Sequence, residues 1–158
     1  MEAMSGVEEL FEREYARLVR SLAVAFDAES AADSVQEAFL AADRRWRRVV
    51  GYGDPAGWVR RVAVNRLLNG RRNDRRRAEI LAGIVIVPER DLTADLLDLR
   101  AAISKLPDRM RLTVCLHYLS ELTVEEVAGA LEVSPGTVKS TLHDARIKLR
   151  SALEESHG

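Results

Sequence analysis

The sequence predicts an all-α fold of two small helical domains joined by a linker, with a helix-turn-helix in the second, and three observations carry that prediction. Apolar residues recur at three- and four-residue spacing through most of the chain, the mark of helices buried along one face. The longest run that reads as strand is Ile84 to Val87, too short to found a sheet. Between residues 78 and 92 the helical spacing lapses around Gly83 and Pro88, which sets a boundary there. The chain has 158 residues, room for one medium domain or two small ones. The break favours two: residues 1–77, a linker over 78–92, and residues 93–158.

Each element follows from its own pattern. Val7, Leu10, Phe11, Leu18, Val19 and Leu22 mark a first amphipathic helix. Ser30 with Asp33 opens a second, which runs through Val35, Phe39, Ala42 and Trp46 until Gly51, Tyr52 and Gly53 break it. Asp54 caps a third helix and Pro55 starts it, because proline loses no needed hydrogen bond in a first turn. Trp58, Val59, Val62, Ala63 and Leu67 then face inward, while Arg61, Asn65, Asn69, Arg72 and Arg76 share an outward stripe. Past the linker, Thr93 caps a helix through Leu96, Leu99 and Ile103, and Pro107 begins another through Met110, Val114 and Leu119.

The last two helices are the most informative. Thr123 and Glu126 form a T-x-x-E capping box ahead of Val124, Val127, Ala128 and Leu131. Ser134 caps the final helix, whose stripe of Val138, Leu142, Ala145 and Leu149 leaves Thr137, Lys139, Ser140, Thr141, His143 and Asp144 outward. Two short helices on a tight turn, the second with a free N-terminus and a polar face, make a helix-turn-helix suited to a major groove. A plain helical hairpin in a bundle core shares this spacing; the string Gly136-Thr137-Val138-Lys139-Ser140 favours the DNA-binding reading.

A net charge of -1 conceals strong segregation. Residues 44–77 hold twelve arginines and no lysine against Asp54 and Asp74, a local net of +10, while residues 1–43 carry -7 and residues 78–158 carry -4. A basic block in an otherwise acidic chain is an electrostatic footprint for phosphate, and arginine's planar fork suits that better than solubility alone requires. Other classes recede. No apolar run approaches the roughly 20 residues of a spanning helix, so no membrane insertion is expected. The start, Met1 to Glu14, has no signal-peptide pattern. The single Cys115 lies at an apolar helix position and makes no disulfide, which implies a reducing cytoplasm. His117, His143 and His157 lack metal-ligand spacing, and neither a phosphate-binding glycine loop nor a nucleophile elbow is present. No metal, cofactor or catalytic residue is therefore expected.

Three strings then carry a resemblance: DSVQEAFLAADRRW from Asp33, DPAGWVRRVAVNRLLNGRRNDRRR from Asp54, and the long stretch from Leu106 that contains the helix-turn-helix. In this order and spacing they resemble the bacterial extracytoplasmic-function group of RNA polymerase sigma factors, which retain only the two regions called two and four. The resemblance implies that the D-x-V-Q-E-x-F helix docks on core RNA polymerase through Asp33, Gln36, Glu37, Leu40 and Arg44. It implies that the loop Val49 to Asp54 and the asparagines Asn65 and Asn69, flanked by Arg61 and Arg72, read the melted minus-ten strand of promoter DNA. Trp58 lies on the inward stripe and reads as core, not as a stacking platform. The recognition helix is implied to read the minus-thirty-five duplex with Thr137, Lys139, Ser140, Thr141, His143 and Asp144, with Arg146 toward the backbone.

Two features depart from the family's pattern. Basic residues are common where this chain has Thr141 and Asp144, and a carboxylate facing a groove accepts from cytosine. The linker string ILAGIVIVP is more apolar than expected, suited to packing across the domains or against a partner. The resemblance further implies an anti-sigma factor as inhibitor. On the residues alone, three other readings stay open: a dimeric helix-turn-helix regulator acting without polymerase, which would need no DSVQEAF surface; a sigma-like protein that does not initiate transcription; and a nucleic-acid-processing enzyme, for which no constellation is visible.

Overall fold

The computed structural model describes the backbone of residues 6–78 and 94–157 and the side chains of residues 6–70 and 97–155. Eight helices occupy them, with no strand among the described residues: α1 (Gly6–Ala25), α2 (Ala28–Arg44), α3 (Trp46–Gly51), α4 (Pro55–Ala78), α5 (Ala94–Ser104), α6 (Asp108–Tyr118), α7 (Val124–Leu131) and α8 (Pro135–His157). None of the described helices is long and apolar enough to cross a membrane. The expected cap at Thr93 and the apolar linker string lie outside the described residues.

Two residues separate α1 from α2, so the pair folds back on itself and packs along its length, with α4 laid against α2. Leu18, Leu22, Val35, Val49, Val59, Val64 and Leu67 fill the space between them and are fully buried. In the C-terminal half α8 is the common wall on which α5, α6 and α7 pack, around Leu112, Leu116, Val127, Val138 and Leu142. The halves touch along two seams, α1 on α6 and α4 on α7, so one continuous core runs through both.

Several expectations change at this level. The second helix starts earlier than Ser30: Asp27 is its cap and accepts from the Ser30 amide at 2.7 Å. It also stops before Trp46, because Arg45 leaves helical geometry at φ -124°, ψ 28°, and Trp46 begins the separate α3. Gly51 closes α3 instead of breaking a longer helix. Phe11, Leu99 and Leu119, expected inward, are exposed. For Phe11 the cause is visible, since its ring stacks on Tyr15 at 4.3 Å and meets Phe39 edge-on at 5.1 Å along the rim of the α1–α2 pair.

Candidate nucleic-acid interface

The helix-turn-helix is held by its caps. The Glu126 amide donates to Thr123 Oγ1 at 3.1 Å and the Thr123 amide to Glu126 Oε1 at 3.0 Å, the two bonds of the capping box. The backbone hydrogen bond from Thr123 is the main cause that holds the Glu126 carboxyl below its ordinary pKa, with the Arg60 guanidinium adding to it against a smaller opposing push from burial. The tight turn depends on Glu132, which adopts the left-handed conformation at φ 57° that glycine usually supplies. Ser134 then caps α8, its Oγ accepting from the Thr137 amide at 3.1 Å.

Val138, Leu142 and Ala145 are buried and Leu149 half-buried, so the opposite face of α8 is set. Thr137, Lys139, Ser140, His143, Asp144 and Arg146 are exposed on it. Thr141 is a correction: it is half-buried beside Leu142 and only partly available to a groove. The Ser140 hydroxyl turns back on its own helix, donating to the Gly136 and Thr137 carbonyls, so it presents its acceptor lone pairs outward. Arg146 donates from Nε to Tyr118 Oη at 2.8 Å, with its guanidinium 5.9 Å from that ring.

In the N-terminal half, Asp54 accepts from the Gly57 amide at 3.1 Å and fixes the start of α4. A Cβ at Gly57 would crowd that carboxylate, for which the glycine leaves room. The preceding loop turns at Gly53, φ 85°, and leaves Tyr52 67% exposed beside exposed Val50, Arg47 and Arg48 while Val49 anchors it in the core. Asn65 and Asn69 are both exposed, one helical turn apart. Arg72 continues the same helix, but its side chain lies outside those described. Trp58 is half-buried against the core, as its stripe requires. On α2, Asp33, Gln36, Glu37, Leu40 and Arg44 are all exposed. Next to them Val7, Phe11, Phe39 and Leu40 floor an open groove between α1 and α2 rimmed by Glu8, Glu12 and Asp43.

The arginine block does not all face solvent. Arg66 pairs with Glu37 at 3.0 Å, and Arg61, expected outward, is half-exposed and reaches Glu132 of the turn at 3.7 Å. Arg60 is buried, 6% exposed, donating to Glu14 at 3.0 Å and to Glu126 at 3.1 Å. Its Nε has no hydrogen-bond partner, a deficit of about 1–3 kcal/mol. Sequence reasoning missed Arg60, and it covered Tyr52 only as part of the loop Val49 to Asp54. For Arg60 a signal existed: it stands three, four and seven residues before the buried Ala63, Val64 and Leu67, on the inward stripe. Burial pushes the Cys115 thiol up to about 12, against a smaller opposing pull from Arg111, which makes it an inert core residue. Among the described residues no group of three or more metal-ligating side chains comes together.

Two family models match the chain: sigma-70 region 2 over residues 11–77 and sigma-70 region 4 over residues 96–149. The chain is similar to the ECF RNA polymerase sigma factor SigE of Mycolicibacterium smegmatis, 34% identical over 165 residues that cover 96% of this chain and 63% of that one, so it spans less than two thirds of that relative. It is similar to the RNA polymerase sigma-E factor of Streptomyces antibioticus, 31% identical over 131 residues covering 81% of this chain and 73% of the other. Among solved structures, the sigma factor RpoE from Bartonella quintana, determined in complex with the anti-sigma factor NepR, superposes with a TM-score of 0.72 at 22% identity, covering 93% of this chain and 95% of that one. At that identity the likeness is one of fold.

Proposed function

This chain belongs to the extracytoplasmic-function group of the sigma-70 family, and we propose from that premise that it binds core RNA polymerase in the cytoplasm, directs it to specific promoters and assists strand opening. The observation that carries the reading is the presence in one chain of three outward polar surfaces: the α2 face, the asparagines of α4 and the recognition face of α8.

Each surface has chemistry suited to its part. Asp33, Gln36, Glu37, Leu40 and Arg44 recur at helical spacing, a polar face with one apolar contact suited to another helix. Asn65 and Asn69 offer donors and acceptors to the edges of unpaired bases, Arg61 and Arg72 offer charge to the backbone, and Tyr52 offers a ring on which a flipped base can stack. On α8, Lys139 and Arg146 neutralise phosphate while His143 and Asp144 reach base edges, so the first pair positions and the second specifies. The chain's part is binding and selection; bond making belongs to the polymerase. An anti-sigma factor is the proposed inhibitor, as NepR is the partner in the Bartonella quintana complex.

Run-off transcription with purified core polymerase on genomic DNA tests the reading. Discrete transcripts that appear only when this chain is added support it. Absence of transcripts, together with dimeric binding to palindromic duplex, would establish the regulator reading instead.

A further inference from the structure

Arg146 stands seven residues after Lys139 and three after His143, so the three share one face of α8. It lies two turns beyond Lys139, roughly 10 Å along the axis, past the N-terminal part of a recognition helix that meets base edges. A side chain there is placed for the DNA backbone, but an exposed arginine is free to point in many directions. Arg146 does not swing free. Its Nε donates to Tyr118 Oη at 2.8 Å, and its guanidinium lies 5.9 Å from the centre of that ring, within cation–π range.

Tyr118 is the last residue of α6, a different helix from the one that carries the arginine. Its ring is braced in turn. His117 meets it edge-on at 4.9 Å, and His117 Nδ1 is 2.8 Å from the carbonyl of Leu122, immediately before the Thr123 cap of α7. The support under Arg146 is therefore tied to the framework that presents α8. The choice of nitrogen also matters. With Nε bonded to Tyr118, the fork of the two terminal nitrogens is left, and these have no protein partner among the described residues. Two parallel N–H donors are what a phosphate accepts in bidentate fashion. Both residues are exposed, Tyr118 by 49%, and a hydrogen bond in water contributes little to the fold. What it fixes is direction.

We propose that Tyr118 is a positioning residue for duplex binding, aiming the terminal fork of Arg146 at a phosphate of the DNA backbone. This inference rests on the sigma-factor reading above, in which α8 lies in a major groove. An unrestrained arginine must give up rotamer freedom to make a bidentate contact, and a side chain already held in place gives up less. Tyr118 thus strengthens binding without touching a base, and it does so for any sequence, because a phosphate carries no base identity.

Tyr118→Phe is the test, since it keeps the ring under the guanidinium and removes only the oxygen that accepts from Nε. Fluorescence anisotropy of the full chain on a random-sequence duplex reads it, as a phosphate contact needs no defined promoter. Binding should weaken about fivefold at an unchanged melting temperature, as expected when one more side chain has to be ordered on association. In an Arg146→Ala background the same change should have an effect of less than about twofold, whereas a merely structural tyrosine would weaken both backgrounds alike. Salt dependence separates aim from charge. Arg146→Ala should flatten the slope by about one unit, while Tyr118→Phe leaves the charge in place and the slope nearly intact. If the chain binds duplex only together with core polymerase, the same fivefold difference, roughly, and the same dependence on Arg146 should appear in run-off yield at limiting template. Equal affinity or yield for Tyr118→Phe and the parent overturns the proposal, and so does a loss of the same size in both backgrounds. Transcripts from the parent with an insensitive Tyr118→Phe sink the positioning role alone. Absence of transcripts, with the coupling still measured on duplex, sinks the sigma-factor reading and leaves Tyr118 in its role; a parent that neither binds duplex nor supports transcription sinks both.

Discussion

Replacing Arg60 by methionine separates the energetics of the buried ion pair from its location. Arg60 is 6% exposed and Glu14 8%, so both are almost fully removed from water and their pairing is little screened. The Glu126 side chain is 40% exposed, so its share falls in the range of surface pairs, about 0–1 kcal/mol. Removing one partner of a buried pair costs about 3–5 kcal/mol, because the Glu14 carboxylate keeps only the exposed Arg13 guanidinium at 3.9 Å. Against that, Arg60→Met also abolishes the orphaned Nε, which recovers about 1–3 kcal/mol. The net expectation is a loss of about 2 kcal/mol, or a fall in melting temperature of roughly 4–8 °C for a chain of this size. Thermal melts followed by helical circular dichroism measure it. Adding Glu14→Leu removes the stranded carboxylate and should restore stability to within about 1 kcal/mol of the parent, since an apolar pair commonly replaces a buried ion pair without loss. An Arg60→Met melt at or above the parent, or a double variant no better than the single, would refute this account.

The other predictions concern the three outward surfaces. Gln36→Ala with Glu37→Arg should weaken core-polymerase binding by about tenfold, a loss of about 1.4 kcal/mol, while leaving the fold intact because neither side chain is buried; an unchanged pull-down would move the interface elsewhere. Asn65→Ala with Asn69→Ala should reduce promoter opening more than duplex binding, and normal permanganate reactivity of the melted strand would remove these residues from the site. Tyr52→Ala should weaken binding to single-stranded minus-ten DNA by the 1–3 kcal/mol, roughly, of one base–aromatic stack; equal affinities in a fluorescence titration would show that no base stacks there. Lys139→Ala should flatten the salt dependence of duplex binding by about one unit, whereas Asp144→Ala should change base preference in a selection on random duplexes, and identical preferences would show that Asp144 reads no base.

What was legible in the sequence was local. The Thr123–Glu126 box, the Ser134 and Asp54 caps and the buried stripe of Val138, Leu142 and Ala145 are all decided within four or five residues, where side-chain oxygens and backbone amides meet by helical geometry alone. The residues that escaped are those whose conformation answers to distant partners. Arg60 stands in an arginine-rich run and reads as one more member of a basic block, yet its partners Glu14 and Glu126 are 46 and 66 residues away. The turn residue Glu132 carries no signal, because glutamate is not a residue that seeks positive φ; its neighbours in the packed pair impose it. The end of α2 at Arg45 is equally silent, with no proline or glycine between Asp27 and Gly51 to mark it.

The way the halves join also bears on their size. Each is about half of 158 residues, a length at which a single core is marginal because too little of the surface can be buried. Sharing a core across α1–α6 and α4–α7 relieves that shortage in the free chain. A seam built only of leucines would do so more strongly, but at the cost of exposing a continuous apolar face whenever the halves part. The seam mixes that shared core with polar contacts, Arg60 to Glu126 and the Ser21 and Ser120 hydroxyls among them, so that less of the joined surface is apolar.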